Sequence, residues 1–372
     1  MEGQMAPKRR VFSVLAVMVL AATFLLWTGC ERDREVTGPQ AEQQLSESHP
    51  QVLKVMRVQD AHTQELMARP AVLGTATGLD ASGNLAIIVY VNSQSPALAK
   101  TTSSLPATIE SIPVVVEETE PFRALKTTGV SHKSKQTPPI QLGTSGGWRD
   151  DLANGYCCGG TLGSLITAGG QQYILSNYHV FSADIVPGGN GMVAEIGDNI
   201  IQPGLIDVGC NAANAQNVAT LASVNVLPGA NVDAAIAQVI SGMVRTDGAI
   251  LEIGALSAST VAASLKQAVK KSGRTTGLTR STVSGLNATV SVAYENECAG
   301  GSAFTKTFTG QIMIANKGSK FLNSGDSGSL MVEDVTANPR AVGLLYAGSS
   351  SSAVANPIGQ VLSYFGASMV GN

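Results

Sequence analysis

The sequence has few charged and few aromatic residues for its length. Only 14% of its 372 residues are charged and 5% are aromatic, and the net charge is −3. A chain without a basic excess has no electrostatic reason to bind nucleic acid, so we expect no such partner. Forty glycines and 44% hydrophobic residues are present instead. This composition favours a globular protein of many short strands, and the length suits two or three compact units.

Long hydrophobic runs are also scarce, and the one at the N-terminus is short for a membrane span. It reads VFSVLAVMVLAATFLLWTGC (residues 11–30) and follows the basic residues PKRR. A span needs about 20 apolar residues, whereas this stretch ends in small residues and a cysteine, so its apolar part is shorter; a basic stretch before such a run is the layout of a secretory signal. We therefore expect residues 1–30 to be a signal peptide and the protein to be exported.

The end of this run, Thr28-Gly29-Cys30, resembles a bacterial lipobox, with Trp27 where such sequences usually carry leucine. The resemblance implies that Cys30 is lipidated and becomes the first residue of a membrane-anchored lipoprotein. A plain cleaved signal, giving a periplasmic or extracellular protein, and an uncleaved anchor are the alternatives.

Cysteine is scarce as well, with five in the chain. Four remain after Cys30: Cys157, Cys158, Cys210 and Cys298. An even number in an exported protein suggests disulfides, and the two adjacent cysteines can each reach a different distant partner among the other two. Zinc is the weaker alternative, because neither a C-x-x-C pair nor histidine spacing supports it. We expect no metal and no cofactor.

The composition and periodicity of the chain predict a small domain before a larger one. Residues 31–49 are polar and aperiodic, which is typical of a tether. An amphipathic helix (50–68), two strands around a turn (71–91) and a further strand (112–118) predict an α+β domain over residues 50–125. Residues 126–147, rich in Pro, Ser, Thr and Gly, are expected to be a linker.

Three histidines fall in or beside this first part of the chain, at His49, His62 and His132. None has a neighbouring residue pattern that predicts a ligand set or a catalytic group. We expect each to be a surface histidine.

Residues 148–372 alternate short apolar stretches with Gly, Asn and Pro at intervals of about ten residues. This is the pattern of an all-β barrel or sandwich, and the length leaves room for two six-stranded barrels. The region contains one histidine, His179, in YILSNYHVFS. It also contains Ser327, between two glycines in NSGDSGSL.

A serine nucleophile needs a base, and His179 is the obvious candidate. The base in turn needs a carboxylate, which we expect to be Asp233, at the head of the apolar run AAIAQVI, where a buried carboxylate needs a partner. Asp184, Asp198 and Asp207 are alternatives, but each stands among Gly, Pro or Asn as exposed loop aspartates do.

The order His179, Asp233, Ser327 is that of chymotrypsin-type serine peptidases. CCGGTLGSLI resembles their GGSLI strand, GDSGSL their GDSGGPL nucleophile loop, and AVGLLYAGS the strand that lines their primary pocket. SGRTTGLTRSTVSGLNATV (residues 272–290) is similar to secreted bacterial enzymes of the α-lytic protease and streptogrisin type. The whole chain also looks like bacterial relatives of the plant Narrow Leaf trypsin-like proteases.

The resemblance implies a trypsin-like double β-barrel over residues 148–372 and a serine endopeptidase acting on protein or peptide substrates. His179 would be the general base, Asp233 its orienter and Ser327 the nucleophile. The N–H groups of Gly325 and Ser327 would form the oxyanion hole. The substrate pocket implied by the resemblance is lined by Phe321, Ser324, Tyr346, Ala347 and Gly348.

Some positions depart from the family pattern. Val180 replaces the cysteine that follows the histidine in animal enzymes, and Ser329 replaces the second glycine of the nucleophile loop. Phe321 stands where cleavage after Lys or Arg requires Asp, and Leu345 where acid-specific relatives carry histidine. A small or apolar residue before the cleaved bond is therefore expected.

Two other functions compete with the peptidase. One is a catalytically silent lipoprotein on a peptidase fold, acting as a binding or structural module. All three triad positions are filled, which argues against it. The other is an esterase, since the same triad hydrolyses esters, but the order of the residues opposes an α/β-hydrolase.

Overall fold

The structure is a computed structural model that describes residues 45–124, 132–153, 155–182, 194–224, 229–294, 304–316 and 320–372. The predicted signal peptide, Cys30, Asp184, Cys298 and most of the predicted tether lie outside these ranges. Within them, no helix is both long and apolar enough to cross a membrane.

Most of the described chain is β-strand. The strands are β1 (Val72–Leu79), β2 (Leu85–Asn92), β3 (Thr108–Ile109), β4 (Ile112–Thr119), β5 (Arg123–Ala124), β6 (Thr144–Trp148), β7 (Leu152–Ala153), β8 (Tyr156–Cys157), β9 (Gly160–Leu162), β10 (Ser164–Ala168), β11 (Gln171–Ser176), β12 (Asn199–Gln202), β13 (Gln216–Val224), β14 (Ala235–Val239), β15 (Ala268–Gly273), β16 (Gly277–Tyr294), β17 (Phe304–Ala315), β18 (Leu330–Glu333), β19 (Ala341–Gly348), β20 (Ser352–Pro357) and β21 (Ser368–Met369). The α-helices are α1 (Pro50–Met67), α2 (Leu98–Ser104), α3 (Tyr178–Phe181) and α4 (Ile358–Phe365).

The first barrel contains the strands around His179. Its sheet runs in the order β10-β11-β14-β13-β12-β6-β9, with β21 added beside β10. Gly163 alone separates β9 from β10, so the two ends of the sheet are one stretch of chain and the sheet closes on itself. Closure removes free strand edges and encloses an apolar interior, here built from residues such as Leu165, Ile174 and Val218.

The second barrel contains the strands around Ser327. Its order is β15-β18-β19-β20-β17-β16, and an additional pairing of β15 with β16 closes it. With β9 and β10 counted as one strand, each barrel is six-stranded, so the predicted fold class, an all-β trypsin-like double barrel preceded by a small α+β part, is confirmed.

The α+β part has the helix and hairpin that the sequence predicts. Pro50 at the first turn and His49, whose side chain accepts from the Gln51 N–H, start α1. The helix buries Val52, Val55 and Val58 at three-residue spacing.

This part joins the second barrel through a shared sheet. Strand β1 pairs with β16, with Gly74 opposite Val290, and β2, β4 and β3 follow in order. Strands β1 to β4 thus continue a barrel sheet, which the periodicity of the N-terminal part does not reveal.

The second half of the predicted linker is built into the first barrel. Ile140 and Leu142 are fully buried in its core. Their N–H groups donate to the carbonyls of Met243 and Ala249, at 2.8 and 3.1 Å. These two apolar residues, isolated among polar ones, carry no periodic signal, so the sequence pattern does not separate them from a linker.

Two cysteine positions are joined across the first barrel. Cys157 and Cys210 form a disulfide that links β8 to the segment before β13. Cys158 is also disulfide-bonded.

Candidate active site

His179 lies just beyond the end of an apolar barrel strand. Strand β11 ends at Ser176, and one turn of helix, α3, then carries the histidine with a side chain only 2% exposed. The burial comes from the neighbours, since Tyr178, Val180 and Phe181 are also buried. A histidine buried at this depth needs a polar partner.

That partner is Asp233. His179 Nδ1 lies 2.6 Å from Asp233 Oδ2, and the His179 backbone N–H donates to Oδ1 at 3.3 Å. The carboxylate is completely buried. The short contact fixes the ring by its Nδ1 side, so Nε2 is the nitrogen left for chemistry. Nε2 is buried and makes no hydrogen bond within the described residues.

Neighbouring side chains hold Asp233 in place. Tyr294 donates its hydroxyl to Oδ2 at 2.9 Å. Asn177 donates to the Asp233 carbonyl at 2.7 Å, and the Asp233 N–H donates to Asn356 Oδ1 at 3.3 Å. Both the carboxylate and the backbone of this residue are therefore fixed.

Ser327 lies in a buried loop between β17 and β18. Gly325 and Gly328 on either side adopt φ of +88° and +92°, which side chains rarely adopt. A Cβ at Gly328 would lie 2.2 Å from Ser176 Oγ, so no side chain fits there. The Ser327 hydroxyl donates to the Tyr346 carbonyl at 3.4 Å. The loop therefore requires glycine on both sides of the serine.

The Ser327 loop packs closely against the segment that carries His179. Gly160 lies between the two segments and leaves no room for a side chain. A Cβ there would lie 2.6 Å from Val180 Cγ2 and 2.9 Å from the Ser327 carbonyl. Thr161 donates its N–H to that same carbonyl at 2.9 Å and its hydroxyl to the Gly325 carbonyl at 2.9 Å. The structure therefore brings His179, Asp233 and the Ser327 loop to one place between the barrels.

Asp326, beside the serine, faces away into a buried polar network. Its carboxylate accepts the N–H groups of Thr275 and Asn323 at 2.8 and 2.9 Å. Lys271 Nζ lies 3.3 Å from Oδ2, and neither side chain of this pair is exposed. Burial lowers the pKa of Lys271, and the Asp326 carboxylate opposes that effect.

A second ion pair joins the barrels beside this network. Arg274, from the second barrel, donates Nε and one terminal nitrogen to the two oxygens of Asp207, both at 2.6 Å. Asp207 follows β12 of the first barrel and also accepts from Ser145 Oγ at 2.6 Å. A bidentate guanidinium pair of this kind fixes orientation as well as distance.

The alternative carboxylates have other partners. Asp207 is occupied by Arg274, and Asp198 accepts from Trp148 Nε1 at 3.1 Å. Neither has a contact with His179 among the described residues.

The prediction that His132 is a surface histidine is wrong. Its side chain is only 4% exposed, and Nε2 lies 2.6 Å from Glu252 Oε2.

The five predicted pocket residues lie in different surroundings. The Phe321 side chain is buried in the core of the second barrel with Val342 and Leu345. The Tyr346 ring packs edge-on against Phe308, with centroids 5.0 Å apart. Ser324 is only partly buried.

Ala347 and Gly348, the last two predicted pocket residues, pair with another part of the chain. Their backbone is antiparallel to β5, with Ala124 opposite Ala347 and Arg123 opposite Gly348. The preceding Phe122 is fully buried. Its ring packs edge-on against Tyr90 at 5.5 Å. Strand β5, from the N-terminal part, thus pairs with the two residues that follow Tyr346, whose carbonyl accepts the Ser327 hydroxyl.

Several residues that support the site carry weak signals in the sequence. Lys270 and Lys271 are consecutive in a strand, so alternation must point one of them inward, and Lys271 is the one that meets a carboxylate. Tyr294 shares a face of β16 with Val290 and Val292, and a tyrosine on such a buried face needs a hydrogen-bond partner.

Comparison with known proteins gives one family match. Residues 221–356 match the family model described as the Nal1 C-terminal domain. The resemblance to the Narrow Leaf proteases is confirmed over this range, which includes Asp233 and Ser327 and begins after His179. No curated protein matches the chain in sequence.

Solved structures of bacterial serine proteases are also similar to the chain. A glutamic-acid-specific serine protease is 20% identical, covers 62% of this chain and 100% of its own, and has a TM-score of 0.42. Thermobifida fusca protease A is 18% identical, covers 63% and 99%, and has a TM-score of 0.41. A Nocardiopsis protease is 18% identical, covers 57% and 93%, and has a TM-score of 0.38.

Proposed function

We propose that the protein is a serine endopeptidase that hydrolyses peptide bonds through an acyl-enzyme. The observation that carries this proposal is the buried 2.6 Å contact between His179 Nδ1 and Asp233 Oδ2, next to the loop of Ser327. A buried imidazole held by a carboxylate on one nitrogen is poised to act as a base through the other.

In the proposed reaction, His179 Nε2 takes the proton of the Ser327 hydroxyl as Oγ attacks the peptide carbonyl. Asp233 holds the ring and stabilises the imidazolium that forms. The N–H groups of Gly325 and Ser327 donate to the oxyanion, an interaction worth about 3–4 kcal/mol per donor in such sites. The imidazolium then protonates the leaving amine, and water, activated in the same way, releases the acid.

The substrate is proposed to be a protein or peptide with a small or apolar residue before the cleaved bond. Phe321, fully buried among apolar side chains, supports this preference because it offers no carboxylate to a basic side chain. Ser324, Tyr346, Ala347 and Gly348 are proposed as the other pocket residues.

Labelling with a fluorophosphonate probe tests the proposed function. The probe reacts with an activated serine, so the wild-type chain should be labelled and Ser327→Ala should not. Ser363→Ala is the control, because it removes an exposed hydroxyl on helix α4 and should leave labelling intact. An unlabelled but folded wild-type chain would instead support the catalytically silent binding or structural module.

We also propose that residues 50–125 are a folding or inhibitory partner of the barrels and not a second catalytic unit. The support is the pairing of Arg123 and Ala124 with Gly348 and Ala347. A peptide substrate would add an antiparallel strand at an edge of this kind, so a strand already in place competes with it. A permanent spacer is the other possible role of this part.

The buried Phe122 ring offers a way to loosen this strand in the full chain. Phe122→Ala should speed fluorophosphonate labelling roughly tenfold, the factor that corresponds to about 1.4 kcal/mol. Phe365→Ala, on the distant helix α4, controls for general loosening. Equal labelling rates in wild type and Phe122→Ala would leave only the spacer.

Export as a lipoprotein is proposed from the sequence alone. Mass spectrometry of the mature N-terminus should find diacylglycerol on Cys30, and Cys30→Ser should lose it. A mature chain that begins at another residue would contradict lipidation and leave a plain signal peptide or an uncleaved anchor.

A further inference from the structure

We propose that Tyr294 is a positioning residue of the catalytic pair: its hydroxyl shares the Asp233 carboxylate with His179 and sets the basicity of the imidazole. The inference rests on the proposed function for its catalytic meaning, although the hydrogen bonds themselves do not. Tyr294 Oη donates to Asp233 Oδ2 at 2.9 Å, and Oδ2 is also the oxygen that meets His179 Nδ1 at 2.6 Å.

The buried Asp233 carboxylate depends on hydrogen-bond donors such as the Tyr294 hydroxyl. Asp233 is completely buried, and no lysine or arginine forms an ion pair with it in the described part of the chain. A buried carboxylate without a cation must be satisfied by hydrogen-bond donors. His179 supplies two donors and Tyr294 supplies the third.

Tyr294 remains a donor over the whole working pH range. Burial and the nearby Asp233 charge raise the pKa of its hydroxyl well above the ordinary value. Tyr346 is another titratable group near this carboxylate, and its pKa is raised for the same reasons, burial first. Among the described residues, the titratable groups that hydrogen-bond the Asp233 carboxylate are therefore His179 and Tyr294, with Tyr346 close enough to be influenced by its charge.

The Tyr294 ring is held in place by its neighbours. It stacks on Phe304, with centroids 5.2 Å apart and planes 13° from parallel. It also meets the His179 ring edge-on at 6.0 Å. Because Tyr294 ends β16 of the second barrel and Asp233 precedes β14 of the first, the hydroxyl connects the base to the barrel that carries Ser327.

The sign of the effect follows from charge sharing. A hydroxyl that donates to Oδ2 takes up part of the carboxylate charge, which weakens its attraction for the imidazolium. Removing the hydroxyl should strengthen that attraction and raise the pKa of His179. The acid limb of kcat/KM should then move to higher pH, since a larger share of His179 is protonated at any given pH.

Tyr294→Phe is the direct test, with Tyr90→Phe as the matched control. Tyr90 is another fully buried tyrosine of the same apolar cluster, and its ring packs on Phe122, away from Asp233. We expect Tyr294→Phe to lower kcat/KM roughly tenfold, as loss of a hydrogen bond to a charged group does, and to shift the acid limb upward. Tyr90→Phe should change neither.

Proton NMR titration of His179 in the Ser327→Ala background measures the same effect without catalysis. The His179 resonances are assigned by their loss in His179→Ala. Tyr294→Phe should raise the pKa of His179, and 3-fluorotyrosine at 294, a stronger donor that keeps the ring, should lower it. A His179 pKa that is unchanged or lower in Tyr294→Phe overturns the proposal, whereas failure of fluorophosphonate labelling overturns only the peptidase function.

Discussion

The two barrels hold their proposed catalytic residues by different kinds of interaction. In the first barrel, His179 and Asp233 are fixed by neutral donors, among them Asn177 and Tyr294. In the second barrel, the Ser327 loop is fixed by a buried ion pair between Lys271 and Asp326. The first barrel leaves the Asp233 charge unpaired by any lysine or arginine of the described chain, and the second uses an ion pair to hold its loop.

The difference has a physical reason. A lysine or arginine beside Asp233 would neutralise the carboxylate that the imidazolium needs, so neutral donors are the partners compatible with the proposed role. Asp326 faces away from the proposed reaction centre, so a cation can neutralise it without cost to the base. Substitutions in the first barrel site should therefore mainly lower activity. Substitutions at the ion pair of the second barrel should mainly lower the free energy of unfolding.

The largest effect on activity is expected from substitutions of the three proposed catalytic residues. Alanine at His179, Asp233 or Ser327 should each lower kcat/KM for a peptide at least roughly a thousandfold, and double variants should add little, because the three act as a unit. Asp198→Asn serves as the control, since that carboxylate contacts Trp148 and not His179. An Asp233→Ala enzyme within tenfold of wild type would mean that another group orients the base.

The next effect concerns stability and the buried cation. Lys271→Met should lower the free energy of unfolding by about 3–5 kcal/mol, because it leaves Asp326 charged and without its cation. Adding Asp326→Asn should recover much of this loss. Lys270→Met is the matched control: its ammonium donates to the Val335 carbonyl at 2.6 Å and forms no ion pair among the described residues, so the loss should stay near 1 kcal/mol, to order of magnitude about that of one hydrogen bond. Equal losses at both lysines in urea unfolding would show that the ion pair adds nothing.

The residues proposed to be catalytic are easier to single out in the sequence than the residues that support them. His179 and Ser327 stand out because their residue types are chemically distinctive and their surroundings resemble known motifs. Asp233 stands out because a carboxylate at the head of an apolar strand needs a partner. These signals are local, so they are visible without the fold.

The residues that support the site are defined by contacts between distant segments. Thr161 reaches Gly325 across 164 positions, and Arg274 reaches Asp207 across 67. Threonine and arginine are ordinary residues in a strand or turn, and only closure of both barrels brings them together. The same holds for β5, since nothing in Arg123-Ala124 predicts a partner in β19.

Thr161 offers the finest test of the comparison, because it belongs to the first barrel but holds the loop of the second. Its hydroxyl accepts the Arg274 N–H at 3.0 Å and donates to the Gly325 carbonyl at 2.9 Å. Thr161→Val keeps the shape but leaves both groups without a partner, which should cost about 1–3 kcal/mol of unfolding free energy. Thr161→Ser keeps both hydrogen bonds and should lose less. Fluorophosphonate labelling should slow several-fold in Thr161→Val and little in Thr161→Ser, because only valine frees the Gly325 peptide beside the proposed oxyanion donors. Identical labelling rates in the two variants would mean that the Ser327 loop holds its geometry without the Thr161 hydroxyl.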